Sequence, residues 1–229
     1  MTIVLRDMVR ALYFGAFIVL GIMLLCRKLY NNFLKIRDLI IIVPILTVAG
    51  AAGAYLMYFI EAGKFNGVSF YGAAFLIPLI TVIPVKMFKI DYGKLTDSCS
   101  PGVCAMCSVV KINCLIKGCC QGIVLYVKDD GQYVRFPSQI TEFSAALVIS
   151  AALTVLIGSK KLIGKVYPLF MIIYGITKFA FSLFRETTPF VFGLSAGSFW
   201  SVISVLAGVI WLVVLTAGSK KERKSGSRG

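Results

Sequence analysis

The run Cys99-Ser-Pro-Gly-Val-Cys-Ala-Met-Cys-Ser-Val-Val-Lys-Ile-Asn-Cys-Leu-Ile-Lys-Gly-Cys-Cys-Gln-Gly-Ile-Val-Leu125 has the length and apolarity of a transmembrane helix, yet it carries Lys111 near its middle and Lys117 beyond it. A charge at that depth costs roughly 2.5–3.5 kcal/mol on the insertion scale, so a lysine kept there is expected to be paired, to face a wet cavity or to meet an anion. At about 100° per residue, Cys104, Cys107, Lys111, Cys114 and Gly118 share one helical stripe roughly 80° wide, a face able to line a site. The plainer reading is that the cysteines pack as small hydrophobes and that the lysines snorkel to the interface, which suits Lys117 better than Lys111.

The rest of the chain agrees with a membrane setting. Its 229 residues are 59% hydrophobic, with a mean hydropathy of +0.89, above the roughly 45–50% apolar content of soluble domains. Further runs near the ~20 residues that a spanning helix needs are Val9–Cys26, Leu39–Ile60, Val68–Val85, Ile140–Ile157, Val166–Phe184 and Gly193–Ala217. With Cys99–Leu125 they predict an all-α polytopic membrane protein of seven transmembrane helices. The expected organisation is one transmembrane domain over 1–218 and a disordered basic tail over 219–229.

Net charge is +14, and its placement decides its meaning. Arg27, Lys28, Lys35 and Arg37 follow the first span; Lys86, Lys89 and Lys94 the third; Lys160, Lys161 and Lys165 the fifth; Lys220, Lys221, Arg223, Lys224 and Arg228 the seventh. By the positive-inside rule the N-terminus is outside and the C-terminus cytoplasmic. The excess is a topology signal with some attraction to anionic headgroups, and no basic-aromatic patch points to nucleic acid.

All cysteines but Cys26 fall in the Cys99–Leu125 run. Their odd total does not make a disulfide framework. Without histidine, zinc would need cysteine or carboxylate ligands alone, and no metal or cofactor is expected. Cys104/Cys107 and Cys119/Cys120 leave open a membrane thiol oxidoreductase.

Other segments add candidates. Arg10 and Tyr13 read as interface anchors, and Ala49-Gly-Ala-Ala-Gly-Ala54 as a helix-packing face. Pro78 and Pro84 are expected to bend the third span, and Pro101 to occupy the first turn of the fourth. Asp130-Gly131 reads as a turn, with Ser138 or Thr141 capping the next helix. Glu142 begins an apolar run, which makes it a site candidate. Tyr174, Lys178, Ser182 and Arg185 share one face of about 80°, so Lys178 is a second deep cation. Facing Lys111 it would make an anion site, for which Glu61, Glu142 and Glu186 are the carboxylates available in compensation.

The order of these motifs resembles the bacterial prolipoprotein diacylglyceryl transferase family over nearly the whole chain. Ser69-Phe-Tyr-Gly72 is similar to its Ser-Phe-His-Gly element, and Lys111-Ile-Asn-Cys-Leu-Ile-Lys-Gly-Cys-Cys-Gln-Gly122 to its Arg-Ile-Gly-Cys-Phe-x-x-Gly-Cys-Cys-Tyr-Gly signature. Arg135-Phe-Pro-Ser-Gln-Ile-Thr-Glu142 resembles Arg-His-Pro-Ser-Gln-Leu-Tyr-Glu, and Tyr174 to Arg185 resembles Tyr-Gly-x-x-Arg-Phe-x-x-Glu-Phe-x-Arg. Ser195-Ala-Gly197 stands where members have Ser-x-Gly-Gln. The departures are Tyr71 for histidine, Lys111 and Lys178 for arginines, Ser182 for glutamate, and Phe136 and Thr141 for histidine and tyrosine. Lysine keeps the charge of arginine without its planar fork.

The resemblance implies transfer of the diacylglyceryl group of phosphatidylglycerol to a lipobox cysteine thiol of a prolipoprotein signal peptide, releasing glycerol-1-phosphate, in lipoprotein biosynthesis. It implies a site towards the outer leaflet of the bacterial plasma membrane. Lys111, Lys178, Tyr71 and Glu142 are the expected catalytic residues. Asn113, Cys114, Gly118, Gly122, Arg135, Gln139, Tyr174 and Arg185 are the expected substrate-binding residues, with membrane lipids as surroundings. A divergent or inactive homologue that binds anionic lipid or modifies another peptide or thiol is the alternative within the family.

Overall fold

The computed structural model describes residues 2–64, 67–116, 118, 120–159 and 162–226, leaving out the side chains of 2–14, 113 and 219–226. The expectations for Arg10, Tyr13, Asn113, Lys117, Cys119, Lys160 and Lys161 therefore fall outside the described residues or side chains.

Among the described residues eight α-helices follow in order: α1 (Thr2–Leu29), α2 (Ile36–Ala62), α3 (Phe70–Ile80), α4 (Val82–Phe88), α5 (Tyr92–Ile116), α6 (Ser138–Ile157), α7 (Val166–Ser182) and α8 (Ala196–Gly226). Five helical stretches among the described residues are long and apolar enough to cross a membrane: α2, α3 with α4, α5, α6 and the 196–218 part of α8. Helix α7 is apolar but shorter, at 17 residues. Helix α1 has 28 residues. Helix α8 runs past the expected 218/219 boundary.

Two sequence features shape the third span and its neighbour. A helix break at Thr81 separates α3 from α4, near Pro78 and Pro84, as prolines that lack a donor N–H dictate. A Cβ on Gly53 would lie 2.6 Å from the Gly72 carbonyl oxygen, so the small run of α2 lets α3 approach backbone to backbone.

Helix α5 departs from expectation at both ends. It begins at Tyr92, because the Asp91 carboxylate accepts the Lys94 N–H at 2.8 Å and starts the helix inside what reads as a basic loop. Pro101 therefore lies within α5, not in its first turn. The helix ends at Ile116, although the hydropathy runs on to Leu125. Gly118 and Cys120 take left-handed backbone angles, φ 63° and 60°, which turn the chain out of the helix.

The continuation is an antiparallel hairpin, β1 (Val124–Val127) with β2 (Tyr133–Arg135), so the fold is helical with one small two-stranded addition. Asp130-Gly131 forms its turn, Gly131 at φ 79°. The expected caps of α6 are not formed. The Ser138 hydroxyl donates to the Cys120 carbonyl at 2.6 Å, and Thr141 Oγ1 donates back to Pro137 O at 3.2 Å.

Alternate loops meet at opposite ends of the bundle. At one end Asp97, fully buried, accepts the Tyr30 hydroxyl at 3.1 Å, the Gly164 N–H at 2.6 Å and the Tyr167 N–H at 2.9 Å. One carboxylate thus ties the α1–α2 connection and the N-terminus of α7 to α5, where a negative charge complements the helix dipole. Burial, reinforced by Asp97, pushes the Tyr30 phenol above its usual range, so it stays a donor. At the other end Gly122 bridges the Arg185 backbone, and Ile123 N–H donates to Phe184 O at 3.1 Å.

Candidate functional site

Three elements send ionisable side chains to one point. Helix α5 supplies Lys111, α6 supplies Glu142 one turn after its first residue, and α7 with the turn that follows supplies Lys178 and Arg185. Lys111 Nζ lies 2.7 Å from Glu142 Oε2, Lys178 Nζ donates to the same oxygen, and Arg185 Nη1 reaches Oε1 at 3.4 Å. The Lys111, Lys178 and Glu142 side chains are 8%, 11% and 4% exposed. At formal charge, three cations surround one carboxylate and two positive charges stay uncompensated within the cluster. Such burial is tolerated only because each ion has a partner. The two lysines do not face each other bare, as their spacing alone would suggest, since Glu142 stands between them.

Arg185 has spare donor capacity. Its Nε is buried and, among the described residues, without a hydrogen-bond partner. Its backbone is held by the bridge to Gly122, whose lack of a side chain is required because a Cβ there would run into the Phe136 carbonyl. Arg135 lies behind that contact, donating to Gly122 O at 3.2 Å and pairing with Glu186 at 2.8 Å.

Beneath the cluster lies an aromatic and hydroxyl layer. Tyr174 is 5% exposed, with its hydroxyl 2.8 Å from Cys107 Sγ. Tyr71 is 2% exposed, packs edge-on against Tyr174 at 6.2 Å, and shares a hydrogen bond with Ser201 at 2.6 Å. Cys104 Sγ turns away to donate to Ala146 O at 3.3 Å, so the two CxxC thiols have separate partners. Ser182 and Ser198 share a hydrogen bond at 2.7 Å, and Ser198 another with Ser195 at 2.8 Å.

The structure thus gathers Lys111, Glu142, Lys178 and Arg185 at one point and holds Gly122 and Arg135 directly behind Arg185. Tyr71 and Tyr174 sit in the adjoining layer. Cys114 lies 3.8 Å from Cys120, Gly118 forms the exposed turn after α5, and Gln139 is half-buried in the first turn of α6. Ser138, expected as a cap, instead holds Cys120 O, and Glu186, expected to compensate the lysines, pairs with Arg135; Ser198 and Ser201, bonded to Ser182 and Tyr71, carry no signal in the sequence, since serine is ordinary at a membrane boundary.

A cavity of about 10 Å³ opens between α6 and α7, lined by Glu142, Ala146, Tyr174, Thr177, Lys178 and Phe181. That is room for about one water.

Apolar helices of spanning length, folded around a buried cluster with surplus positive charge, define a multi-pass membrane protein. The chain belongs to the prolipoprotein diacylglyceryl transferase family, whose model matches residues 8–214. Membership makes it a transferase of lipoprotein biosynthesis at the level of the family. No curated protein matches the chain.

Proposed function

We propose that the protein transfers the diacylglyceryl group of phosphatidylglycerol to the cysteine thiol of a prolipoprotein lipobox, with Lys111, Lys178, Glu142 and Arg185 as the working site. The observation that carries this reading is the surplus of two positive charges around Glu142, a complement to an anionic phosphate diester held in a low-dielectric site.

Glu142 has two roles in sequence. Before substrate enters it keeps three buried cations together. When a phosphate arrives, the ammonium groups of Lys111 and Lys178 and the Arg185 guanidinium turn to its oxygens, and the unpartnered Arg185 Nε supplies a further donor. Glu142, relieved of its partners, then accepts the proton of the incoming peptide thiol. The thiolate attacks the glycerol carbon that bears the phosphate, a C–S bond forms, the C–O bond breaks, and glycerol-1-phosphate leaves with its charge neutralised by the same cations. Lysine supplies the charge without the bidentate fork of arginine, so orientation of the phosphate falls to Arg185.

Tyr71 and Tyr174 wall the site and fix its floor through Ser201 and Cys107. Arg135 and Gly122 hold Arg185, and Asn113 and Gln139 are assigned to the glycerol hydroxyls. In this reading the chain makes seven spans in the bacterial plasma membrane, N-terminus outside, with the cluster towards the outer leaflet. Residues 1–218 are one transmembrane domain. Expression of the chain in a bacterium depleted of its own diacylglyceryl transferase tests the reading. Restored growth and lipoprotein modification are expected, and absence of both despite membrane insertion of the protein would contradict it.

A further inference from the structure

We propose that Cys114 and Cys120 form a reversible disulfide that latches the segment between α5 and the hairpin. The two sulfurs lie 3.8 Å apart in the structure, one on the last turns of α5 and the other at the left-handed residue that turns the chain away. Both thiols are half-buried and reachable, whereas Cys26, Cys99, Cys104 and Cys107 are buried. Of those, Cys99 is bonded to Leu95 O, Cys104 to Ala146 O and Cys107 to the Tyr174 hydroxyl. Among the described cysteines, proximity and access single out one pair, and it is not the CxxC.

The chemistry is thiol–disulfide exchange. One of the two, as thiolate, attacks a small-molecule or protein disulfide, forming a mixed disulfide and releasing one thiol. The second thiolate then attacks the protein sulfur of that mixed disulfide, forming the Cys114–Cys120 bond and releasing the other thiol. The two protein thiols give up two protons and two electrons, and the oxidant disulfide becomes two thiols.

The latch is placed where it bears on the ionic cluster. Cys120 O accepts the Ser138 hydroxyl, and Ser138 opens the helix that carries Glu142. Gly122 bridges Arg185, and Lys111 precedes Cys114 by one turn on α5. Closing the short 114–120 loop removes conformational freedom from the segment on which both Ser138 and Arg185 rest.

The test uses the purified full chain in detergent, exposed to glutathione disulfide and then alkylated. Peptide mass mapping is expected to find Cys114 linked to Cys120, and dithiothreitol to reverse the link. Amide hydrogen exchange over 118–123 is expected to slow by about tenfold on oxidation. Cys119→Ser is expected to keep the cross-link and Cys120→Ser to lose it. A link made through Cys119, glutathione adducts alone, or unchanged exchange over 118–123 after complete cross-linking would overturn the latch. Neither readout involves turnover, so the outcome is separate from that of the transferase reading.

Discussion

Glu142→Gln isolates the electrostatic logic of the site. The substitution keeps the shape of the side chain and removes the negative charge that, among the described residues, pairs with Lys111, Lys178 and Arg185. At an effective dielectric of about 20, attraction across the 2.7 Å Lys111–Glu142 contact is about 6 kcal/mol, and the other two contacts are of the same order. Desolvation offsets much of this, and removing one partner of a buried ionic group typically costs about 3–5 kcal/mol because the remaining charges stay buried and unpaired. For a chain of this size that lowers the melting temperature by about 6–20 °C. The assay is thermal unfolding of detergent-solubilised wild type and Glu142→Gln, each with added phosphatidylglycerol or phosphatidylcholine. Phosphatidylglycerol is expected to restore at least about half of the loss by supplying the missing anion, and phosphatidylcholine to restore little. An unchanged melting temperature, or equal rescue by both lipids, would refute a cation cluster that is completed by an anionic headgroup.

Further outcomes follow from particular contacts. Gly122→Ala drives a methyl group into the Phe136 carbonyl; it is expected to cost about 1–3 kcal/mol and to weaken lipid rescue through the displaced Arg185, as read by the same melting assay. Asp97→Asn replaces one of the two accepting oxygens by an NH2 donor, so that at least one of the Tyr30, Gly164 and Tyr167 donors loses its acceptor; a loss of roughly 1.5–3 kcal/mol in stability is expected, with phosphatidylglycerol rescue of Glu142→Gln unaffected when the two changes are combined. A cysteine placed at Lys220 is expected to resist a membrane-impermeant thiol reagent in intact cells and to react after lysis, and labelling in intact cells would reverse the topology.

The long apolar runs made most of the helices legible, because in a bilayer every backbone donor and acceptor must be satisfied within the segment. The ends of α5 were not legible, for opposite reasons. Polar residues before Cys99 concealed a helix started by Asp91, and apolar Ile123, Val124 and Leu125 concealed a chain already turned away at Gly118 and Cys120. The caps expected of Ser138 and Thr141 failed because the Ser138 hydroxyl has a better partner across the fold in Cys120 O. Periodicity placed Lys111 on one helical face and Lys178 with Arg185 on another, which is why both surfaced as candidates. It could not say that Glu142, from a third helix, would sit between them, since partner choice is set by helix packing. The same limit hid Cys114 opposite Cys120, a contact created by the turn that ended the helix early.

The most direct test of the account is transfer by purified protein. Wild type reconstituted with phosphatidylglycerol and a lipobox peptide is expected to yield a thioether-linked diacylglyceryl peptide and one equivalent of glycerol-1-phosphate, and Lys111→Met/Lys178→Met to yield neither while remaining folded. A folded wild type that gives no thioether product, or a double variant that transfers as fast as wild type, would contradict the account.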